Sequence, residues 1–582
     1  MVFGTEANCK RQGIWRTPPW SADSRPWQDI DQRLEPNHLA RQIRAFVLGL
    51  ELKELRQAHL GVGKQALPPE LMLMVVLYEM HRGQLHPCHW AKDCKFFEPV
   101  KWLAMGLQPS AAYFYSFRKR LGPYVKSWHE QIVNRALAEG WTKGAEASID
   151  GTFIAALGSR HRLLKAKTLG QRLELLRQAL AQDCRAARTG APAAAARGTD
   201  VPVATPSPAA TPRLEATAAE PQAERAPAPG TRVHPARLPY WMATTSRGRG
   251  RQLHRFRQAQ EHLGALLAHH AQHETRKAKR KRRRPEQVRI CPSEPTAALG
   301  RDKLKTFRPL YNMQLASDLD TPLILDYGVH ATTTDAGLFI PTVQALTQTL
   351  GQPPQRVLVD GIYATAANLA YCEEHGVTMY APADDKPAPP RGDGKAAATP
   401  PASQIGKEQF RWDAAEKTYY CPEGHRLLQI GCKAEKREQD QEIQVYQYRC
   451  PPQHCQACPK AAQCTRAPHK GRTIKRSEHE DKVEALRQRM HTPDGEALYK
   501  KRGQTVEPRI GDLKAHRGLR CFAAFGLALA LIQVGLLVLV HNGLYVGKAR
   551  PQPPQQADQQ EPPAAASTHA PRSNDPFLQV PT

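Results

Sequence analysis

The chain is short of acidic residues: 55 Asp and Glu stand against 82 Lys and Arg in 582 residues, a net charge of +27. With a pI near 9.7, such a chain favours a polyanionic partner, either nucleic acid or an anionic membrane surface. The charge is spread along the chain as well as concentrated, which favours DNA. The N-terminus, MVFGTEANCKRQGIW, lacks an apolar run of the kind a secretory signal needs. Thirteen cysteines are an odd count in a long chain, so reduced cytosolic thiols, some of them binding metal, are expected rather than a disulfide framework. Long apolar runs are scarce. One stands out, 19 residues from Phe522 to Val540 broken in polarity only by Gln533, and its length meets the threshold for a membrane span. Its two glycines, the interior Gln and the charged stretch Glu507 to Arg520 just before it point instead to a helix buried in a large domain.

The length suggests three or four units. Helical periodicity marks Leu34 to Leu60, Glu70 to Met80 behind Pro68-Pro69, and a stretch ending in Tyr113 to Arg120. These form an all-helical domain over residues 1–146. Alternation then takes over at Ser148 to Ala155, Tyr311 to Ala316, Pro322 to Val329 and Arg356 to Val359, with a helix from Ala366 to His375. A mixed α/β core split into 147–185, 291–385 and 481–545 accounts for this pattern. Two insertions interrupt it. Residues 186–290 begin Ala/Pro-rich and become basic, with 14 Lys or Arg against 3 Glu from Arg247 to Arg289; they read as a disordered insertion whose run around Lys281, Arg282 and Arg283 attracts DNA. Residues 386–480 read as a Cys-rich β insertion, and 546–582 as a disordered tail.

Three acids stand out for chemistry. Asp150 lies inside a strand and is followed by Gly151-Thr152, a small pair that leaves room for a phosphate. Asp360 ends a strand and precedes Gly361-Ile362-Tyr363, at the carboxyl edge where α/β active sites gather. Glu507 sits on a helix with Tyr499, Arg502 and Lys514; by helical geometry Arg502 and Glu507 fall close to opposite faces, while Glu507 and Lys514 share one. Converging carboxylates suit divalent ions that cleave a phosphodiester, Mg²⁺ with Mn²⁺ as substitute. Asp335, ahead of a helical run, reads as an N-cap.

The order strand-Asp150, strand-Asp360-Gly-x-Tyr, then Tyr499-x2-Arg502-x4-Glu507-x6-Lys514 resembles the Y-R-E-K signature of DDE transposases from bacterial insertion sequences, in the insertion-sequence-four superfamily. The resemblance spans roughly Ala147 to Asn542. The Arg502 to Glu507 spacing is one residue longer than in the best-known members and looks like the branch with a Cys-rich insertion. What the resemblance implies is an RNase-H-like catalytic core in which Asp150, Asp360 and Glu507 hold the metals and Tyr499, Arg502 and Lys514 contact DNA. It also implies an N-terminal region that binds the terminal inverted repeats, a homodimer or larger active complex, and work at the bacterial nucleoid in the cytoplasm, without a membrane. Glu294 stands where the family tends to carry an Asp-Pro pair. The alternative reading is a nuclease-only or catalytically inactive DNA-binding relative.

The cysteines give a separate signal. Cys421, Cys450, Cys455, Cys458 and Cys464 fall within 44 residues, and Cys455-x2-Cys458 has the spacing that lets two thiolates reach one Zn²⁺. Cys421, Cys455, Cys458 and Cys464 form the preferred quartet, with Cys450, His425 or His454 as substitutes.

Overall fold

A computed structural model describes residues 15–58, 65–188, 238–275, 284–335, 337–382, 405–436 and 442–548. The linker 189–237, the tail from 549, and Lys281, Arg282 and Arg283 lie outside the described residues.

Up to Ala138 the described chain is helical but for an isolated bridge between Trp15 and Ala66. The helix expected over Leu34 to Leu60 is two: Leu39–Leu48 stops at Gly49, whose N–H closes onto the carbonyls of Ala45 and Phe46, and a short helix Lys53–Gln57 follows. Pro69–His81 buries every residue from Leu71 to Met80, which is what a helix apolar all round requires. It packs against the long helix Leu527–Lys548, which also touches Leu39–Leu48, Gly122–Ala138 and the main sheet. Leu527–Gly547 is long and apolar enough to cross a membrane by length and composition. Its buried polar groups are matched within the protein: Gln533 Oε1 accepts from Ala523 N–H, and the Asn542 amide accepts from Ile324 N–H and donates to Ile324 O. The helix runs to Lys548, past the boundary expected at 545.

Strands follow in the order β1 (Glu146–Ala155), β2 (Leu164–Lys165), β3 (Arg289–Ile290), β4 (Ala298–Arg301), β5 (Phe307–Asp318), β6 (Ile324–His330), β7 (Arg356–Leu358) and β8 (Thr378–Tyr380). The main sheet runs β4-β5-β1-β7-β8, with β6 also on β5. β1 is antiparallel to β5 and parallel to β7, and β7 is parallel to β8. The crossover from β6 to β7 passes through the helix Phe339–Leu350, closed by Gly351 at φ 75°, a conformation glycine adopts without strain. Phe339, Val343 and Leu346 are fully buried beside the sheet. The fold is thus mixed α/β.

Between β1 and β4 the structure departs from the expected disordered insertion. Ala166–Arg188 and Ser246–Thr275 are long helices packed on each other, their base tied by the β2–β3 pair. Phe256, Ala259 and Leu263 form an apolar stripe that meets Leu169, Leu173, Leu176 and Ala179. Arg249 adds a bidentate pair with Asp183. The dense positive charge on the other faces hides this stripe in the sequence.

The Cys-rich segment forms a second sheet, β13-β12-β11-β10-β9, from β9 (Arg411–Asp413), β10 (Thr418–Tyr420), β11 (Arg426–Lys436), β12 (Glu442–Arg449) and β13 (Thr473–Ser477). Its own core contains Phe410, Tyr419, Leu427, Tyr448 and Ile474.

Candidate active site

The register of the main sheet sets the first two acids side by side. Ser148 pairs with Leu358 in the parallel β1–β7 ladder, so two residues further along Asp150 lies next to Asp360. Asp360 leaves the strand at the sheet edge, exposed, with its Oδ1 accepting from Gly361 N–H at 2.7 Å. Glu507 comes from the helix Arg502–Ala515, which packs on β1 and β5. Arg502 links two of the acids: its guanidinium is 3.1 Å from Asp150 Oδ1 and 3.0 Å from Glu507 Oε1. The expectation of opposite faces for Arg502 and Glu507 is corrected here, because Arg502 opens the helix and its long side chain reaches across the first turn. Burial raises the Asp150 carboxyl above the usual range; Arg502 pulls it down, and Asp360 and Asp335 push it further up.

Lys514 reaches β1 from the same helix, its ammonium on Thr152 Oγ1 and near the Phe153 carbonyl. Burial and the like charge of Lys303 hold it down to about 8, against the pull of Asp150. Tyr499 donates to the Val359 carbonyl at 3.2 Å and so braces the turn that carries Asp360. Burial raises its hydroxyl, and Arg502, Asp360, Asp150 and Glu507 all act on it.

Gly151 does not leave room for a phosphate. Its side of β1 faces away from Asp150, and there the place of a Cβ is filled by Gln314 Nε2 and Asp335 Oδ1. Nor does Asp335 cap a helix through its side chain: Oδ1 accepts from Asn312 Nδ2 at 2.6 Å and from Gln314 Nε2 at 2.8 Å. Gln314 Oε1 in turn accepts from the Tyr363 hydroxyl at 2.7 Å. A polar network therefore backs both the strand that carries Asp150 and the turn that carries Asp360. Sequence reasoning missed it, although Asn312 and Gln314, two apart in an apolar strand, mark one polar face. Glu294 is fully buried and holds no outer position, its Oε2 accepting from Tyr311 Oη and Gly526 N–H.

In the second sheet, Cys421, Cys450, Cys455, Cys458 and Cys464 surround one cavity of about 20 Å³ together with His425 and His454, the space of about one water. The expected quartet is brought together, and Cys450 joins it. His425 N–H donates to Cys421 Sγ at 3.3 Å and Arg472 N–H to Cys455 Sγ at 3.4 Å. Burial raises the Cys450 and Cys464 thiols. Among the described residues no three His, Cys, Asp or Glu side chains are drawn into a ready metal cage, here or at Asp150.

No curated protein and no solved structure matches the chain. Residues 420–543 match the family model of the transposase DDE domain, a span that includes the five clustered cysteines, Tyr499, Arg502, Glu507 and Lys514, and it supports a DDE transposase.

Proposed function

We propose that the chain is a DDE transposase of the insertion-sequence-four superfamily, which cuts DNA at the terminal inverted repeats of its element and transfers the cut strand to target DNA. The observation that carries this reading is the bridging of Asp150 and Glu507 by one cation, the Arg502 guanidinium, with Asp360 close enough to Asp150 to raise its carboxyl. The strand order β6-β5-β1-β7-β8, antiparallel through β1 and parallel beyond it, supports an RNase-H-like core.

Three clustered carboxylates suit Mg²⁺ or Mn²⁺, and the place of Arg502 between two of them is where a cation relieves their repulsion. Asp150, Asp360 and Glu507 would hold the ions, which when bound activate the attacking oxygen and stabilise the leaving one. Arg502, displaced from the carboxylates, is then able to take a DNA phosphate bidentately. Lys514 lies on the Asp150 side of the site to neutralise phosphate charge, and Tyr499 keeps the Asp360 turn in place. A dimer or larger complex, one subunit per element end, fits an enzyme that joins two ends, and the nucleoid is where its substrate lies.

For the cysteine cluster we propose one Zn²⁺. Support comes from the thiol donor set and from backbone N–H groups aimed at Cys421 and Cys455 sulfurs, which stabilise thiolates.

The deciding experiment incubates the purified chain and Mg²⁺ with DNA carrying the inverted repeats that flank its reading frame. Nicks at the repeat ends followed by joining to a second DNA are expected. Nicking without end preference would leave a nuclease, and tight end binding without nicking an inactive relative.

A further inference from the structure

Beside the helical hairpin, the loop after β1, the β2–β3 pair and the two long helices line a cavity of about 1,050 Å³. Its charge has one sign. Arg162, Lys165, Arg172, Arg255 and Arg289 all line it, and no Asp or Glu is among the described lining residues. Two of these cations are forced together by the backbone: Lys165 and Arg289 are partners across the antiparallel β2–β3 pair, both exposed. Like charges directly opposite one another destabilise a ladder, so this pairing costs stability unless an anion bridges it.

The walls are built rather than loose. Trp241 stacks on Phe256 with centroids 6.2 Å apart, and the Arg172 guanidinium lies 4.8 Å over the Trp241 ring, which orients Arg172 at little entropic cost. Gln252, buried, fixes the Trp241 segment by donating to Trp241 O and accepting from Ala243 N–H. A solvated charged face needs none of this.

We propose that this cavity is a second DNA-binding surface, separate from the Asp150 site, which takes the phosphodiester backbone. The inference rests on the reading of the chain as a DNA enzyme. Asp150 lies five residues before the end of β1, roughly 16 Å along a strand, and the first residue lining the cavity, His161, comes six residues after that end, so one DNA molecule is long enough to meet both. Arginines suit phosphate because each presents a rigid fork of donors. Among the described lining residues there is no carboxylate, and the one amide, Gln252, is taken up by backbone, so the surface holds DNA without regard to sequence.

The test compares the full chain with Arg172→Gln/Arg255→Gln/Arg289→Gln, measuring affinity for a random-sequence duplex by anisotropy between about 50 and 200 mM salt, the range over which phosphate binding weakens steeply. The slope of log K against log salt should become shallower by up to about 2.7, or about 0.9 for each phosphate that is no longer neutralised. Circular dichroism checks that the variant folds; should it not, Arg255→Gln alone, an exposed position, should lower the slope by about 0.9. An unchanged slope in a folded variant overturns the proposal. Quenching of Trp241 fluorescence by inorganic phosphate as strong as that by DNA, at equal phosphate, would also overturn it in favour of a small-anion pocket. Wild-type protein that binds no DNA at all would instead sink the reading of the chain as a DNA enzyme.

Discussion

The acid site gathers its side chains from positions more than a hundred residues apart and the cysteine cluster from within 44 residues, and the two are held in different ways. At the acid site, sheet register fixes Asp150 beside Asp360, and the charges are met inside the protein by Arg502 and Lys514. In the cluster the cysteines sit on a turn, a strand end and two short helices around a small core, with backbone N–H groups on Cys421 and Cys455 and the Arg472 guanidinium acting on Cys464. The first arrangement has two of its carboxylates paired as it stands, and on the proposed function a metal ion would take the place of Arg502 between them. The second depends on what fills a cavity of about 20 Å³.

The largest effect follows from the first arrangement. Asp150→Asn, Asp360→Asn and Glu507→Gln should each lower DNA cleavage by about 10³ or more, the scale of losing a principal electrostatic group, while DNA binding survives. Volume barely changes, so any loss is a loss of charge. Cleavage near the wild-type rate in one variant, measured on end-containing DNA with Mg²⁺, removes that residue from the site.

The cysteine cluster should respond by folding rather than by chemistry. Zinc content near one per chain is expected in protein purified without chelator, and Cys455→Ser or Cys458→Ser should abolish it and expose the second sheet to protease, since structural zinc couples binding to folding. Zinc near zero in a stable wild-type protein would leave ordinary reduced thiols, and the contrast with the acid site would lose its basis.

How far the sequence led differs between the same two regions. Strands 148–155 and 356–359 were legible because β-branched and apolar residues alternate there, and the acids within them stood out as exceptions. The pairing of Arg502 with Glu507 was not, because helical angles describe Cα directions and not the reach of a guanidinium. Asp335 reads as a cap from its neighbours Thr332 to Thr334; only the crossing of β1 with β5 shows that it stands behind Gly151. The helix Ser246–Thr275 was masked by its own charge. In the cysteine segment, spacing identified the cluster, but the inclusion of Cys450 depends on where β12 ends.

Gly151 offers a smaller probe of the acid site. Gly151→Ala should destabilise the chain by about 1–3 kcal/mol, as overpacking does, because its methyl group meets Gln314 and Asp335. The cleavage loss should exceed what the unfolded fraction explains, since Gln314 also holds Tyr363 beside Asp360. A stable variant of full activity, by thermal melting and cleavage, would show that the network behind β1 does not support the acids.

The smallest effect is one of pH. Lys514, held down to about 8, loses its charge as pH rises through that value, well before an ordinary lysine. If that charge serves DNA, cleavage should decline with a midpoint near pH 8, and Lys514→Arg should move the alkaline limb up by about a unit or more, because a guanidinium stays charged. Stability should run the other way. Between about pH 8 and the ordinary lysine value the unfolded chain binds the extra proton, so the folded state gains as pH rises through this window. Activity falling while melting temperature holds or climbs therefore separates loss of the Lys514 charge from simple unfolding. An alkaline limb that Lys514→Arg leaves in place would assign the decline to another group, leaving Lys514 only its contact with Thr152.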